Sequence, residues 1–426
     1  MDDTIYSTST QHRLFTFTPK QLSDLRYATN KAAIEKITES IKHRAAAAGI
    51  AEADVEEIDC PTAEEELKLV AYYCVKCMQL SDHFQFPSNV KATALTFLHR
   101  LYLTTSTLTV HPKKLLLPIL YLATKTENHY TPINAFIATA ATAGPKVTKE
   151  DLLDPEFTIA MGLRWAFQVW HPFRGLEGIF LELNAIAAGR YQPPASKSTF
   201  VPSASEAKIA LLELLAGDVD RIGRAHGEAR RLLTTTALLT DVYFLYTPPQ
   251  ISFGAFLEAD RELATFYLDI KFPDADVSGK KSKTKLIAVL DEIARNHLSP
   301  GVSKESQNPY AGLLLQLPQN GITTSVAMAV DPALVREVTR IDKKLYRVTK
   351  RDQDPVPAGG KKKAEETGSA SGSQSGNGNG NGNRKYDKDE ERRAKKRRLE
   401  REKAEREGDV FGASLSEVGK STTGAS

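Results

Sequence analysis

The sequence predicts an all-α protein: two tandem bundles of five helices each, extra N- and C-terminal helices, and a disordered C-terminal tail. Three observations lead to this prediction. The chain has 426 residues, more than one hydrophobic core usually holds, which favours two domains. Its first 350 residues contain no convincing stretch in which apolar and polar residues alternate, the pattern typical of strands. Helix start signals recur along the same residues.

The N-terminal region, residues 1–61, is predicted to contain one helix. Thr18 is suited to cap this helix, Pro19 occupies its first helical position, and Gln21 completes a capping box. We expect the helix to pack against the rest of the protein through its leucines, because exposed leucines are costly.

The first bundle is predicted over residues 62–170. Thr62 and Glu65 form a second capping box at its start. Pro118 lies well inside a predicted helix, where the missing N–H should produce a kink. Further helices are predicted to begin at Pro87-Ser88, at His111-Pro112 and at Asp154-Pro155, the last of them continuing to Trp170.

The second bundle is predicted over residues 171–300, with an inserted loop at about 191–205. Residues 111–127 can be aligned with residues 247–263, with apolar and small positions matched, which indicates a faint internal repeat of about 100 residues or more. Single helices are predicted over residues 173–188, 232–246, 248–263 and 285–294.

The C-terminal helix region, residues 301–350, is followed by a predicted disordered tail over residues 351–426. Residues 358–383 contain no aromatic or large aliphatic side chain, so burial cannot offset the entropy of ordering them. The basic run at 392–398 fits a nuclear-import signal or a phosphate-binding patch, and a merely solubilising role stays open. Apolar residues at heptad spacing mark the C-terminal helix: Leu334, Val338, Ile341, Leu345 and Val348.

Charge is spread unevenly along the chain. The formal net charge is +3, and residues 384–407 alone carry 12 basic and 8 acidic side chains. Residues 408–426 carry a net charge of −1, so the first 383 residues sum to zero, which argues against a body that wraps nucleic acid. The chain has three cysteines, too few for a disulfide framework and typical of a reducing compartment.

Catalytic and metal-binding signals are nearly absent from the sequence. Cys74 and Cys77 form a CxxC pair, but no second pair or nearby His completes four zinc ligands. The pair also lies on an apolar helix, where free cysteines pack as small hydrophobic side chains. We therefore expect no catalytic residue, no metal, no cofactor and no enzyme activity, which leaves binding as the function.

One helix end and the start of a later helix resemble the cyclin family. Residues 123–127 are similar to the cyclin-box segment in which a Lys follows a small residue and precedes an acidic one, here Lys125. Glu156 lies nine residues before Trp165, a spacing also found in cyclins. The resemblance implies that Lys125 and Glu156 bind the regulatory helix of a kinase, with apolar neighbours that include Leu122, Phe157 and Ala160.

Three further segments are most similar to the cyclin H branch of that family: residues 11–30, 171–183 and 238–251. The resemblance implies the regulatory subunit of a CDK-activating kinase within TFIIH, acting on the RNA polymerase II C-terminal domain and on other kinases of the CDK class. The implied partners are a cyclin-dependent kinase catalytic subunit, a RING-finger assembly subunit and the TFIIH core, in the nucleus. Neither a membrane nor sequence-specific nucleic acid is expected as a partner.

Alternatives stay open from the residues alone. Lys125 near a helix C-terminus and Glu156 in a first turn would also suit the helix dipole, as simple end-of-helix charges. A different transcriptional cyclin, serving another polymerase-tail kinase, would share the same pattern. A TFIIB-like double bundle would need an N-terminal zinc ribbon and a basic body, and a plain helical scaffold would bind no kinase.

Overall fold

The computed structural model describes seven ranges of the chain, and all regular structure within them is helical, as predicted. The described residues are 3–49, 58–144, 146–192, 202–218, 220–272, 277–298 and 332–353. The predicted tail beyond residue 353 and most of the predicted loop at 191–205 lie outside these ranges. Among the described helices, none is long and apolar enough to cross a membrane.

Three helices precede the first bundle among the described residues, where the sequence predicted one. The third begins with the predicted capping box, in which the Thr18 hydroxyl accepts from the backbone N–H of Gln21 and the Gln21 side chain accepts from the backbone N–H of Thr18. Leu22 is buried in this helix. The helices are α1 (Asp3–Ser7), α2 (Thr10–Phe15) and α3 (Pro19–Ala47).

The first bundle surrounds one central helix, α5, whose residues from Ala92 to Leu101 are all buried. Thr62 caps α4 through the predicted box with Glu65, and His111 caps α6. Pro118 is buried inside α6, which continues through it as one helix. The helices are α4 (Ala63–His83), α5 (Ser88–Leu101), α6 (Pro112–Thr126), α7 (Ile133–Thr142) and α8 (Lys149–Gly162).

The predicted bounds of α8 were wrong at both ends. The helix begins at Lys149, because Thr148 and Asp151 form a capping box six residues before the predicted start at Asp154-Pro155. It ends at Gly162 rather than at Trp170, because Arg164 and Trp165 take left-handed backbone conformations with φ of 53° and 57°.

The second bundle contains more breaks than the sequence predicted. The single helix expected over 232–246 is wrong: α11 ends at Thr234, and the hydroxyls of Thr234 and Thr235 hydrogen-bond to carbonyls of the preceding turn. The single helix expected over 248–263 is also wrong, because the Asp260 side chain caps a new helix by accepting from the N–H of Leu263.

The helices of the second bundle follow in order after those breaks. They are α9 (Phe173–Ala187), α10 (Ala204–Leu215), α11 (Arg221–Thr234), α12 (Val242–Leu245), α13 (Pro248–Ala259), α14 (Arg261–Lys271) and α15 (Val277–Ile293). A 3-10 turn over Thr236–Leu239 lies between α11 and α12, and a turn of π-helix over Ala294–Leu298 follows α15.

The last helix, α16 (Pro332–Gln353), packs against α3 and α4 of the N-terminal half. Four of the five heptad residues are buried in this contact, and Leu334 is partly buried. Ion pairs flank the apolar seam, with Lys68 Nζ 2.8 Å from Glu337 Oε1. The heptad prediction for this helix is therefore confirmed.

Truncation of Ile341 tests this contact, because its side chain is fully buried between α16 and the first bundle. Ile341→Ala should lower the free energy of unfolding by about 2–5 kcal/mol, the cost of emptying a packed site. Val335→Ala on the outer side of the same helix should change it by less than about 0.5 kcal/mol. Denaturant unfolding of both variants measures the difference, and equal values would show that the seam contributes little.

Candidate partner-binding surface

Two predicted site residues come together on the surface of the first bundle. Lys125 Nζ lies 2.5 Å from Glu156 Oε1, and their side chains are 39% and 35% exposed. Lys125 lies in the last turn of α6 and Glu156 on the neighbouring α8. The pair therefore bridges two packed helices while both charges remain accessible to a partner.

The helix dipole stabilises the charge of Lys125 but does not reach that of Glu156. Lys125 is the second-last residue of α6, in the last turn, where a cation is favourable. Glu156 is the eighth residue of α8, well beyond the first turn, so the reading of Glu156 as a helix-start charge is wrong. The dipole effect fades within one turn, and Glu156 has Lys125 as its stabilising charge instead.

The aromatic ring of Tyr121 packs against the ammonium group of Lys125. The Lys125 ammonium lies 5.1 Å from the centroid of the Tyr121 ring, one turn back on α6. That ring contacts Phe136 edge-on at 5.1 Å between centroids, which fixes its orientation. The ammonium is thus held in place by the Tyr121 face as well as by the Glu156 carboxylate.

The three predicted apolar neighbours divide between core and surface. Leu122 and Ala160 are buried in the first bundle, where they support α6 and α8 from beneath. Phe157 is 63% exposed, so its ring lies on the surface beside Glu156. A partner can contact Phe157 directly, whereas the other two act through packing.

An exposed apolar stripe on α8 extends this surface, and the sequence reasoning missed most of it. It consists of Leu153, Phe157 and Met161 on α8 and of Trp165 just beyond the end of that helix, at spacings of four residues along the chain, and is called the α8 stripe below. The Phe157 and Trp165 rings contact edge-on at 5.9 Å. The spacing of four was visible in the sequence, but helical spacing alone does not distinguish an exposed stripe from a core stripe. A contiguous exposed apolar patch marks an interaction site.

A buried arginine positions the segment that carries Trp165. Arg100 on α5 donates from Nη1 to the carbonyls of Ala166, at 3.0 Å, and Gln168, at 3.2 Å. Burial lowers the pKa of Arg100 to about 10, so the guanidinium remains charged at neutral pH. The backbone directly after Trp165 is therefore fixed from the core, and the indole stays 59% exposed.

A second buried contact fixes the end of α6 to the start of the second bundle. Glu127, which follows the last residue of α6, accepts from the Thr93 hydroxyl at 2.6 Å. The same hydroxyl lies 2.9 Å from Nε2 of His171, the residue at the junction of the two bundles. The His171 hydrogen bond lowers the pKa of Glu127 below its usual value. Lys125 is therefore two residues from an internally anchored position.

The CxxC pair lies apart from this surface, in the core. Cys74 and Cys77 are fully buried, and burial raises the pKa of the Cys77 thiol to about 12. Within the described part of the chain, no group of three or more His, Cys, Asp or Glu could hold a metal ion. The prediction that the two cysteines pack as core residues agrees with this burial.

Comparisons with known proteins connect this geometry to a family. Residues 171–295 match the family model of the cyclin C-terminal domain. Cyclin CCL1 of Saccharomyces cerevisiae is 30% identical over 281 residues, 65% of this chain and 63% of that protein, so the chain spans less than two thirds of that relative's length. Cyclin mcs2 of Schizosaccharomyces pombe is 31% identical over 267 residues, 62% of this chain and 72% of that protein.

A solved structure agrees with these relatives. A chain from the CAK complex of Chaetomium thermophilum bound to ATP-gamma-S is 27% identical, with a TM-score of 0.60. The similarity covers 82% of this chain and 89% of that one. The helical architecture and the match to cyclin mcs2 lead to one conclusion. The chain belongs to the cyclin family.

Proposed function

We propose that this chain is the regulatory subunit of a CDK-activating kinase of the cyclin H kind, acting in the nucleus within TFIIH on the RNA polymerase II C-terminal domain. The observation that carries the proposal is the half-exposed Lys125–Glu156 pair beside the exposed α8 stripe. Exposed aromatic rings, a tryptophan among them, are typical anchors of a protein-binding hot spot. Charged groups beside such anchors fix the register and the choice of partner. The similarity to a chain of a CAK complex supports the choice of partner.

The proposed mechanism is binding rather than chemistry by this chain. The α8 stripe would cover the apolar side of the kinase's regulatory helix. Lys125 bonds Oε1 of Glu156, which leaves Oε2 to accept from the partner. Held in this way, the regulatory helix can place its Glu beside the Lys that positions ATP. The cyclin activates because it binds the active conformation of the kinase more tightly than the inactive one.

The remaining partners are also proposals. A RING-finger assembly subunit and the TFIIH core would join the complex of cyclin and kinase catalytic subunit. Affinity purification of the full-length chain from nuclear extract, with mass spectrometry, tests this composition. Recovery of a CDK-activating kinase able to phosphorylate CDK activation segments is the expected result. Recovery of another polymerase-tail kinase in its place would favour the alternative of a different transcriptional cyclin.

The first prediction concerns the charged pair. Glu156→Ala should weaken kinase affinity about 30-fold or more, because removing one member of a desolvated interfacial pair costs about 2–5 kcal/mol. Lys125→Glu should weaken it further, since it places two like charges together. The cyclin alone should lose less than about 1 kcal/mol of stability, because the pair is more than a third exposed.

Titration of the purified kinase, with a melting curve of each variant alone, measures both effects. Asp218→Ala is the matched control, because it removes the ion pair with Arg224 on the second bundle. Its kinase affinity should equal that of the wild type. Normal affinity of Glu156→Ala together with a lowered melting temperature would make the Lys125–Glu156 pair structural.

The second prediction concerns the α8 stripe. Trp165→Ala and Phe157→Ala should each weaken kinase affinity about 30-fold, the effect of truncating a hot-spot aromatic worth about 2 kcal/mol. Their melting temperatures should change little, because both rings are mostly exposed in the free chain. Leu181→Ala, on an equally exposed apolar residue of α9, is the control. If all three variants bind the kinase equally well, the stripe is not the docking surface.

A further inference from the structure

The C-terminal helix is strongly basic, although the first 383 residues of the chain sum to zero charge. Helix α16 carries seven basic and three acidic residues, a net charge of +4, so the rest of the chain sums to −1. A helix this basic within an otherwise balanced protein can form a local anion-binding face even where total charge predicts none.

The acidic residues of α16 are all turned toward the protein. Glu337 pairs with Lys68 of α4 at 2.8 Å, and Asp342 Oδ1 lies 3.0 Å from Nε2 of His111. Asp352 accepts from the Ser40 hydroxyl of α3 at 2.6 Å. These contacts hold α16 in place and leave no carboxylate of the helix on its outer side.

Four basic residues occupy that outer side: Arg336, Lys343, Arg347 and Lys350, called the α16 basic stripe below. Spacings of seven, four and three residues place them on one helix face, opposite the buried heptad. All four are exposed, and none pairs with a carboxylate in the part of the chain that the structure describes. Tyr346, 66% exposed, flanks the stripe.

The dimensions of the stripe suit a regular polyanion. The fourteen residue steps from Arg336 to Lys350 span about 21 Å at about 1.5 Å per step. One strand of B-DNA has a phosphate about every 3.4 Å of axis, so about six phosphates of that strand lie along such a length, some of them on the side facing the helix. Four long cationic side chains on a straight, convex helix can reach several of these phosphates together.

We propose that the α16 basic stripe binds the phosphate backbone of duplex DNA without reading its sequence. The centre of the stripe consists of four cations and no large apolar side chain, whereas the centre of a protein interface is depleted in lysine and carries apolar or aromatic anchors. Single-stranded nucleic acid is held in grooves with several stacking aromatics, and among the described residues this face offers only Tyr346. A convex helix with two arginines and two lysines suits the groove and backbone of a duplex. This activity is separate from kinase docking, which involves α6 and α8.

Fluorescence anisotropy of the full-length chain with a labelled duplex of about 25 base pairs tests the proposal, in two unrelated sequences, between about 50 and 200 mM salt. The test variant replaces Arg336, Lys343, Arg347 and Lys350 with Gln. We expect the wild type to bind both duplexes equally. The variant should bind at least tenfold more weakly, and the slope of log K against log salt should be shallower by up to about 3.6, or about 0.9 per lost phosphate contact.

Two controls isolate the stripe. A variant with Gln at Lys149, Arg174, Arg190 and Lys285, four exposed cations elsewhere, should bind DNA like the wild type. The DNA affinities of the stripe variant and of the chain with an intact stripe are also compared after the six basic residues at 392–398 have been replaced by Gln in both. The tail then cannot account for the DNA binding. Kinase affinity should be unchanged in the stripe variant, which separates this proposal from the proposed function.

Three results would overturn the proposal. The first is that the stripe variant and the wild type have the same DNA affinity and the same salt dependence. Another is an equal loss in the control variant with Gln at the four other positions. The third is tighter, stripe-dependent binding of single-stranded RNA or of polyglutamate, which would assign the stripe to a different ligand.

Discussion

The buried guanidinium of Arg100 is the interaction on which the arrangement of the N-terminal half depends. Within the described chain its hydrogen-bond acceptors are neutral oxygens: the carbonyls of Ala166 and Gln168 and the Gln11 side chain. The face of Phe15 covers it at 4.4 Å from the ring centroid. Burying a cation without hydrogen-bond acceptors is costly, so the three oxygens that accept from the Nη groups of Arg100 are constrained to stay in place.

That constraint connects three parts of the protein. Gln11 accepts from Arg100 and from the backbone N–H of Trp170, so α2 is fixed to the segment between the two bundles. The same segment begins with Trp165, whose left-handed backbone places the indole beside Phe157 on the α8 stripe. Left-handed conformations of bulky residues persist where the surrounding structure holds them, and they concentrate at functional sites. Buried hydrogen bonds of Arg100 and Gln11 thus position part of the surface that we assign to the kinase.

Local chemistry made much of the fold predictable. The capping boxes at Thr18 and Thr62 involve residues three apart, so the sequence alone located those helix starts. The Lys125–Glu156 pairing came from family resemblance, since no local rule joins residues 31 apart. The segment after Trp165 is held by Arg100, which lies 66 residues before Ala166, and no helical pattern contains that information. The fold class was therefore predictable, and the extent of the binding surface was not.

The central claim is that the end of α6 and the outer face of α8 are where the kinase docks. Hydrogen–deuterium exchange of the full-length chain, alone and bound to the purified kinase catalytic subunit, tests it most directly. The account predicts slower exchange in the last turn of α6 and along residues 153–165, with α10 and α16 unchanged. Slower exchange confined to the second bundle, with α6 and α8 unaffected, would contradict it.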